Sequence, residues 1–139
     1  MKKLALIFAL FSLLRVSASG QASDSVAYKS LEPYDFHLTW LKVDKGLLVD
    51  VREPMEFRKN RIKDAVNVPS SWNLGIAADT LDKQYTIFVY CTTGYRSKRA
   101  AQLLTEKGFG SVVNLDGGIS AWKKDVFPLD KKRRRVHKE

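Results

Sequence analysis

Short apolar runs alternate along the chain with segments in which apolar residues recur at helical spacing. Residues 47–51, 86–90 and 111–115 are short and largely apolar, which is typical of strands buried on both faces of a parallel sheet. Residues 31–43 and 97–107 instead place their apolar side chains along one helical face. This alternation predicts an α/β fold in which a central parallel sheet of about five strands is covered by helices on both faces.

The remaining predicted elements are shorter and fill the spaces between these segments. We expect short strands at residues 26–28 and 65–68, and helices at residues 54–59 and 70–83. A last short helix begins at Gly117-Gly118 and contains Trp122, which recurs with other apolar residues at helical spacing. We therefore expect Trp122 in the core.

The 139 residues provide for one domain with a buried core. We divide the chain into a signal peptide at residues 1–18, a flexible lead-in at 19–30, a single domain at 31–129 and a basic tail at 130–139. In the signal peptide, two lysines precede an apolar run of 11 residues, whereas about 20 are needed to cross a bilayer. The pattern predicts an exported protein, periplasmic or secreted, without stable membrane insertion after cleavage. A retained membrane anchor is the alternative.

The net charge of +9 is concentrated at the two ends of the chain. The signal peptide carries +3 and residues 130–139 carry +4, which leaves only +2 for the domain between them. A nucleic-acid binder needs a basic field over the domain itself, so we expect no nucleic acid as partner. The basic tail is expected to be solvated and disordered. The sequence does not identify a protein partner.

The chain has one cysteine, and it lies between the predicted strand at residues 86–90 and the helix at 97–107. Amide groups at a helix start have no intrahelical partner and the helix dipole adds partial positive charge, so this position favours a thiolate. Gly94 allows a tight turn, and Arg96 adds a planar cation suited to oxyanions. We therefore predict a nucleophile in an anion-binding loop, formed by Cys91, Thr92, Thr93, Gly94, Tyr95 and Arg96.

The alternative for Cys91 is a buried and inert thiol, because free cysteine often packs as a small hydrophobe. Cys91 has no partner within its own chain for a disulfide, and it cannot build a cysteine-rich metal site. His37 and His137 are far apart in sequence and lack metal-ligand spacing. We expect neither a metal nor an organic cofactor.

Asp50 and Arg52 alternate with apolar residues at the end of the predicted strand 47–51. This edge of an open parallel sheet commonly binds ligands. Charges in a protein interior, however, usually persist by pairing with one another. We therefore predict a structural ion pair in preference to a ligand site.

Three segments carry motifs in a fixed order. Residues 47–57 contain Asp-Val-Arg-Glu, residues 89–101 contain Cys-Thr-Thr-Gly-Tyr-Arg-Ser, and residues 114–122 contain Gly-Gly-Ile-Ser-Ala-Trp. They resemble the opening strand, the active-site loop and the closing element of single-domain rhodaneses, which are sulfurtransferases. The resemblance covers about residues 31–129 and implies a single rhodanese-like domain.

The resemblance implies sulfur transfer from thiosulfate or a similar small donor to a thiophilic acceptor through a Cys91 persulfide. Arg96 would attract the donor's anionic oxygens, and the loop from Thr92 to Arg96 would hold the transferred sulfur. A non-catalytic sulfur carrier or partner-binding module is the main alternative. A rhodanese-like phosphatase is less favoured, because those enzymes place the arginine one residue further from the cysteine than it stands here.

Residues 60–65 depart from the resemblance. Rhodaneses usually have Gly-His-Ile-x-Gly-Ala here, whereas this chain has Asn-Arg-Ile-Lys-Asp-Ala. Asn60 can adopt the left-handed conformation that the first glycine would supply. Asp64, in the place of the second glycine, is the less favourable replacement.

Overall fold

The structure is a computed structural model that describes residues 28–131. The predicted signal peptide, most of the lead-in and the tail from residue 132 lie outside the described residues, so export and the state of the tail stay predictions. No helix among residues 28–131 is long and apolar enough to cross a membrane.

The described chain forms seven strands and five helices. The strands are β1 (Lys29–Leu31), β2 (Gly46–Asp50), β3 (Asn60–Arg61), β4 (Val66–Asn67), β5 (Thr86–Tyr90), β6 (Val112–Leu115) and β7 (Asp130–Lys131). The helices are α1 (Pro33–Lys42), α2 (Pro54–Lys59), α3 (Ser71–Ala78), α4 (Tyr95–Glu106) and α5 (Gly118–Lys124).

Five strands form one sheet in the order β1-β6-β5-β2-β4, and all of its pairs are parallel. In its centre, Phe88 of β5 is paired with Leu48 of β2 and Val113 of β6. The predicted central parallel sheet is thus confirmed. Strands β3 and β7 form a separate antiparallel pair.

Successive side chains of β5 point to opposite faces of the sheet, as the pleat requires. Ile87 and Val89 belong to one buried cluster, and Phe88 and Tyr90 belong to another. β5 is therefore covered on both sides, which explains why its sequence from Ile87 to Tyr90 is continuously apolar instead of alternating.

Helices cover both faces of the sheet, as predicted. Leu74 of α3 and Leu104 of α4 pack in the first cluster, and Phe36 of α1 and Trp122 of α5 pack in the second. The Trp122 indole also donates a hydrogen bond to the carbonyl of Pro128, at 3.1 Å. Trp122 is thus a core residue, as its spacing indicated.

Asp50 and Arg52 form the predicted structural ion pair. The Arg52 guanidinium donates to Oδ1 and Oδ2 of Asp50, at 3.0 and 2.6 Å, and to the carbonyl of Asn60, at 2.7 Å. Both residues are buried. The pair ties the end of β2 to β3 and leaves neither charge without a partner.

Several boundaries differ from those predicted. The first strand described lies at Lys29–Leu31, so the end of the predicted lead-in belongs to the sheet. Of the strand predicted at residues 26–28, only Tyr28 is described, and it precedes this strand. α3 ends at Ala78 and not at residue 83, and the Lys83 ammonium donates to the Ala78 carbonyl at this end of the helix, at 2.6 Å. Asp130 and Lys131, assigned to the tail, pair with β3.

Within residues 60–65, Asp64 is the one residue with a positive φ. Asp64 has φ 67°, in the left-handed region, as expected where the family has glycine. Asn60 has φ −165°, which is extended, so it does not adopt the left-handed conformation that it could tolerate. The reason is that Asn60 belongs to β3, whose pairing requires an extended backbone.

Candidate active site

Cys91 lies at the carboxyl end of β5, in the loop that leads into α4. The residue is buried. Gly94 is the residue that caps α4 and has φ 98°, a left-handed conformation that suits glycine. The helix therefore begins at Tyr95, two residues earlier than predicted. Tyr95 and Arg96 belong to its first turn, and the loop itself is only Cys91–Gly94.

Two donors are directed at the sulfur of Cys91. The backbone N–H of Gly94 donates to Sγ at 3.1 Å. The Ser97 hydroxyl lies 3.5 Å from Sγ and 3.2 Å from the Gly94 carbonyl oxygen, so its one proton is shared between two acceptors. A negative charge on Sγ draws this proton toward the sulfur.

The pKa of Cys91 is lowered from its ordinary value. Burial acts in the opposite direction, since it penalises the charged thiolate. The hydrogen bond from the Ser97 hydroxyl and those from the amides of Ser97, Thr93 and Gly94 outweigh it. The loop thus stabilises an ionised sulfur that is shielded from bulk water.

The N-terminus of α5 holds the backbone of this loop. The amides of Ile119 and Ser120 donate to the carbonyls of Cys91 and Thr92, at 2.8 and 3.0 Å. A Cβ at Gly118 would lie only 2.5 Å from the Cys91 carbonyl oxygen. The Gly117-Gly118 pair therefore allows α5 to approach closely enough to bind the carbonyls of the loop.

Arg96 is paired across the site with Glu56 of α2. Its guanidinium donates to both Glu56 oxygens, at 2.9 and 3.0 Å, and to the Thr92 hydroxyl at 2.9 Å. The Thr92 hydroxyl in turn donates to Glu56 at 2.6 Å. Arg96 thus joins α2, the cysteine loop and α4, and its charge is compensated before any ligand binds.

This network changes the ionisation of both partners. The hydrogen bonds from Arg96, joined by that from Thr92, lower the pKa of Glu56 to about 2, although burial raises it. The same pairing with Glu56 raises the pKa of Arg96. Glu56 and Arg96 are therefore both charged across the physiological pH range.

The side chains of the other two predicted site residues, Thr93 and Tyr95, form no hydrogen bond with the sulfur of Cys91. Thr93 is exposed, although its amide helps to lower the pKa of Cys91. The Tyr95 ring is 72% exposed at the start of α4. Among residues 28–131, no three His, Cys, Asp or Glu side chains cluster in a way that could hold a metal ion.

A comparison with protein families identifies this arrangement. Residues 37–125 match the family described as the rhodanese-like domain. The chain belongs to the rhodanese-like domain family. Known proteins similar to this domain include a sulfurtransferase of Allochromatium vinosum, 37% identical over 83 residues that cover 60% of this chain and 77% of the relative.

Two further comparisons define how far the similarity extends. MoeZ of Mycobacterium tuberculosis is 38% identical over 91 residues, which are 64% of this chain but only 23% of MoeZ. A crystal structure of a rhodanese-related protein from Thermoplasma volcanium has a TM-score of 0.64 at 27% identity, and the match covers 74% of this chain and 98% of that one. This rhodanese-like domain therefore has the family's fold, and it corresponds to only a part of some larger relatives.

Three residues of this rhodanese-like domain contribute to the site but were missed from the sequence. They are Glu56, Ser97 and Gly118. Glu56 is 40 residues from its partner Arg96, and the pattern of residues around either position does not predict that they pair. Ser97 lies one helical turn from Gly94. The presence of a hydroxyl just after the cysteine loop could therefore have indicated a hydrogen bond to the sulfur. The Gly117-Gly118 pair was recognised as a motif, but its contact with the loop required the fold.

Proposed function

We propose that this rhodanese-like domain is a sulfurtransferase that carries sulfane sulfur as a persulfide on Cys91. The observation that carries the proposal is the pair of donors on Sγ, the Gly94 amide and the Ser97 hydroxyl. An inert core thiol needs no such donors, because it is neutral. A sulfur nucleophile needs them in order to be ionised near neutral pH.

In the first half-reaction, the Cys91 thiolate attacks the outer sulfur of an anionic donor such as thiosulfate. A bond forms between Sγ and that sulfur, the donor's sulfur–sulfur bond breaks, and sulfite leaves with the bonding electron pair. The loop amides between Thr92 and Arg96 stabilise the transferred sulfur, as backbone donors stabilise an oxyanion in other enzymes. Arg96 fixes Thr92 of the loop, and the donor's anionic oxygens compete with Glu56 for its guanidinium.

In the second half-reaction, a thiophilic acceptor such as cyanide or a thiolate attacks the outer sulfur of the persulfide. The bond between the two sulfurs breaks, and its electron pair returns to Sγ as a thiolate. The enzyme is thereby regenerated without a metal or organic cofactor. This is double displacement with a covalent intermediate.

The test is the intact mass of the reduced protein after treatment with thiosulfate alone. We expect a gain of one sulfur atom, about 32 Da, because the first half-reaction ends in a covalent intermediate. Cyanide should then remove the added mass and release thiocyanate. Cys91→Ser should show neither step while keeping the circular dichroism spectrum of the parent protein.

The same experiment separates the alternatives. A phosphatase would hydrolyse an aryl phosphate and gain no sulfur, and a docking module would do neither. Absence of sulfur uptake from both thiosulfate and mercaptopyruvate would overturn the proposal. Export is part of the proposal through the predicted signal peptide, and N-terminal sequencing of protein from the native host should find a start near Ser19. An intact Met1 on a cytosolic protein would contradict export.

A further inference from the structure

A groove lies beside the cysteine loop, between the starts of α3 and α4. It has a volume of about 170 Å³ and is lined by Ser70, Ser71, Tyr95, Arg96 and Arg99. Tyr95 and Arg96 directly follow Gly94, so the groove begins where the loop ends. The sulfur transfer proposed above gives no role to the part of the groove that is lined by Ser70, Ser71 and Arg99.

The groove contains two arginines, and the charge of one of them, Arg99, is not compensated. Arg99 is exposed, and it forms no ion pair with any residue between 28 and 131. Arg96, in contrast, is neutralised by Glu56. The neighbouring Lys98 is bound to Asp116 at 3.0 Å. A ligand in the groove therefore meets one net positive charge, at Arg99.

Several side chains around Arg99 carry a hydroxyl group, namely those of Ser70, Ser71 and Tyr95. Tyr95 and Arg99 are four residues apart on α4 and therefore lie on the same side of the helix. On the α3 side, the Ser70 hydroxyl accepts from the Asn73 amide at 3.4 Å, which leaves its own proton free to donate. A guanidinium with hydroxyl donors nearby matches a carboxylate, which accepts several hydrogen bonds in one plane.

The distance along α4 defines the kind of molecule that uses both the loop and the groove. Arg99 is five residues after Gly94, which corresponds to roughly 7.5 Å along a helix axis. Thiosulfate is too small for its outer sulfur to lie in the loop while its charged oxygens contact Arg99. A thiol whose carboxylate is separated from the sulfur by several carbon atoms has the required length.

We propose that this groove binds the carboxylate of a small thiol that accepts sulfur from Cys91, and that Arg99 determines the preference for such acceptors. The inference rests on the proposed sulfur transfer and specifies its acceptor. The acceptor thiolate attacks the outer sulfur of the Cys91 persulfide and becomes a persulfide itself. The electron pair of the broken sulfur–sulfur bond returns to Cys91.

A matched pair of thiols tests the proposal on protein loaded with sulfur. 6-Mercaptohexanoate and 6-mercaptohexanol have the same chain length and differ in the terminal charge. We expect kcat/KM for the carboxylate to exceed that for the alcohol by about fivefold, the order expected of one solvent-exposed ion pair. Arg99→Gln should reduce the ratio to about one. Lys98→Gln, which changes a paired cation on the adjacent residue, should keep it.

A binding measurement on unloaded protein provides a second, independent test. Hexanoate should shift the amide resonances of Ser71 and Tyr95 in the parent protein and in Lys98→Gln, but not in Arg99→Gln. Equal rates for the two thiols in the parent protein, or a ratio equally reduced by Lys98→Gln, would overturn the role of Arg99. Failure of sulfur loading together with normal hexanoate shifts would contradict the sulfur transfer and leave the carboxylate site in place.

Discussion

Two arginine–carboxylate pairs with similar geometry serve different parts of this domain. Asp50 and Arg52 are two residues apart, and their side chains are 0% and 4% exposed. Glu56 and Arg96 are 40 residues apart, and their side chains are 34% and 40% exposed. Each arginine binds both oxygens of its partner. Burial therefore decides what each pair contributes, because it determines how strongly water can replace a lost partner.

The buried pair belongs to the scaffold. Arg52 also contacts the carbonyl of Asn60, and its guanidinium lies 5.6 Å from the centre of the Tyr90 ring. The Tyr90 hydroxyl in turn accepts from the Ile62 amide at 3.2 Å. The exposed pair instead joins three elements at the mouth of the site, where a ligand can compete for Arg96. The first pair should control stability, and the second should control chemistry.

The largest effect is expected from Asp50→Asn. This change leaves the Arg52 guanidinium buried without a counter-charge, which typically costs about 3–5 kcal/mol. Urea unfolding should show this loss as a lower midpoint with an unchanged slope. Asp79→Asn is the matched control, because Asp79 pairs with Lys107 at the surface and its loss should leave the midpoint nearly unchanged. An Asp50→Asn midpoint equal to that of the parent protein would refute the structural role of the buried pair.

An intermediate effect is expected from Arg96→Ala. Loss of the guanidinium removes a charge-assisted donor and releases Thr92, so thiosulfate KM should rise about tenfold and alkylation of Cys91 near neutral pH should slow. Arg96→Lys should recover only part of the loss, because an ammonium lacks the planar fork. Steady-state kinetics and iodoacetamide labelling measure both quantities. If neither changes in Arg96→Ala, Arg96 is only a surface residue.

Glu56→Gln is expected to have the smallest effect on stability. Its effect on the reaction should be opposite to that of Arg96→Ala. Exposed pairs contribute about 0.2–1 kcal/mol, so the unfolding free energy should fall only slightly. Freeing Arg96 from its carboxylate should, however, lower thiosulfate KM and speed alkylation of Cys91. A raised KM would show that Arg96 needs Glu56 to hold its position, and that attraction of the donor is secondary.

The contribution of Glu56 should also depend on pH. Its pKa is lowered from 4.5 to about 2 in the folded protein, so the pair's contribution is complete above pH 4.5 and is lost as pH falls toward 2. The difference in unfolding free energy between the parent protein and Glu56→Gln should shrink across that window. A difference that stays constant from pH 7 to 2 would contradict the pairing.

The sequence was sufficient for those features that depend on local pattern. The apolar runs of β2, β5 and β6 and the helical spacing of α4 predicted the sheet and the position of Cys91, and Gly94 predicted the turn. Strands β3 and β7 have two residues each, which is too short for any periodicity to appear. The start of α4 was misplaced because a left-handed Gly94 begins the helix at once.

The partners of the site residues could not be predicted, because they come from distant segments. Glu56 reaches Arg96 only after α2 packs beside the loop, and the amides of α5 reach the Cys91 carbonyl only after Gly118 permits the approach. Which residues carry the chemistry was predicted from the sequence, and that assignment stays a prediction. The fold was needed to show that Arg96 already has a partner, whereas Arg99 has none within the described part of the chain.

The central claim is that the loop keeps Cys91 ionised, and the pH dependence of its alkylation tests this most directly. The rate of reaction with iodoacetamide follows the thiolate fraction, so its midpoint gives the pKa of Cys91. We predict a midpoint below the value of about 8.5 for free cysteine, and a higher midpoint in Ser97→Ala. Ser120→Ala is the control, since Ser120 contributes only its backbone amide to the loop. A midpoint at or above about 8.5 in the parent protein, unchanged in Ser97→Ala, would contradict the account.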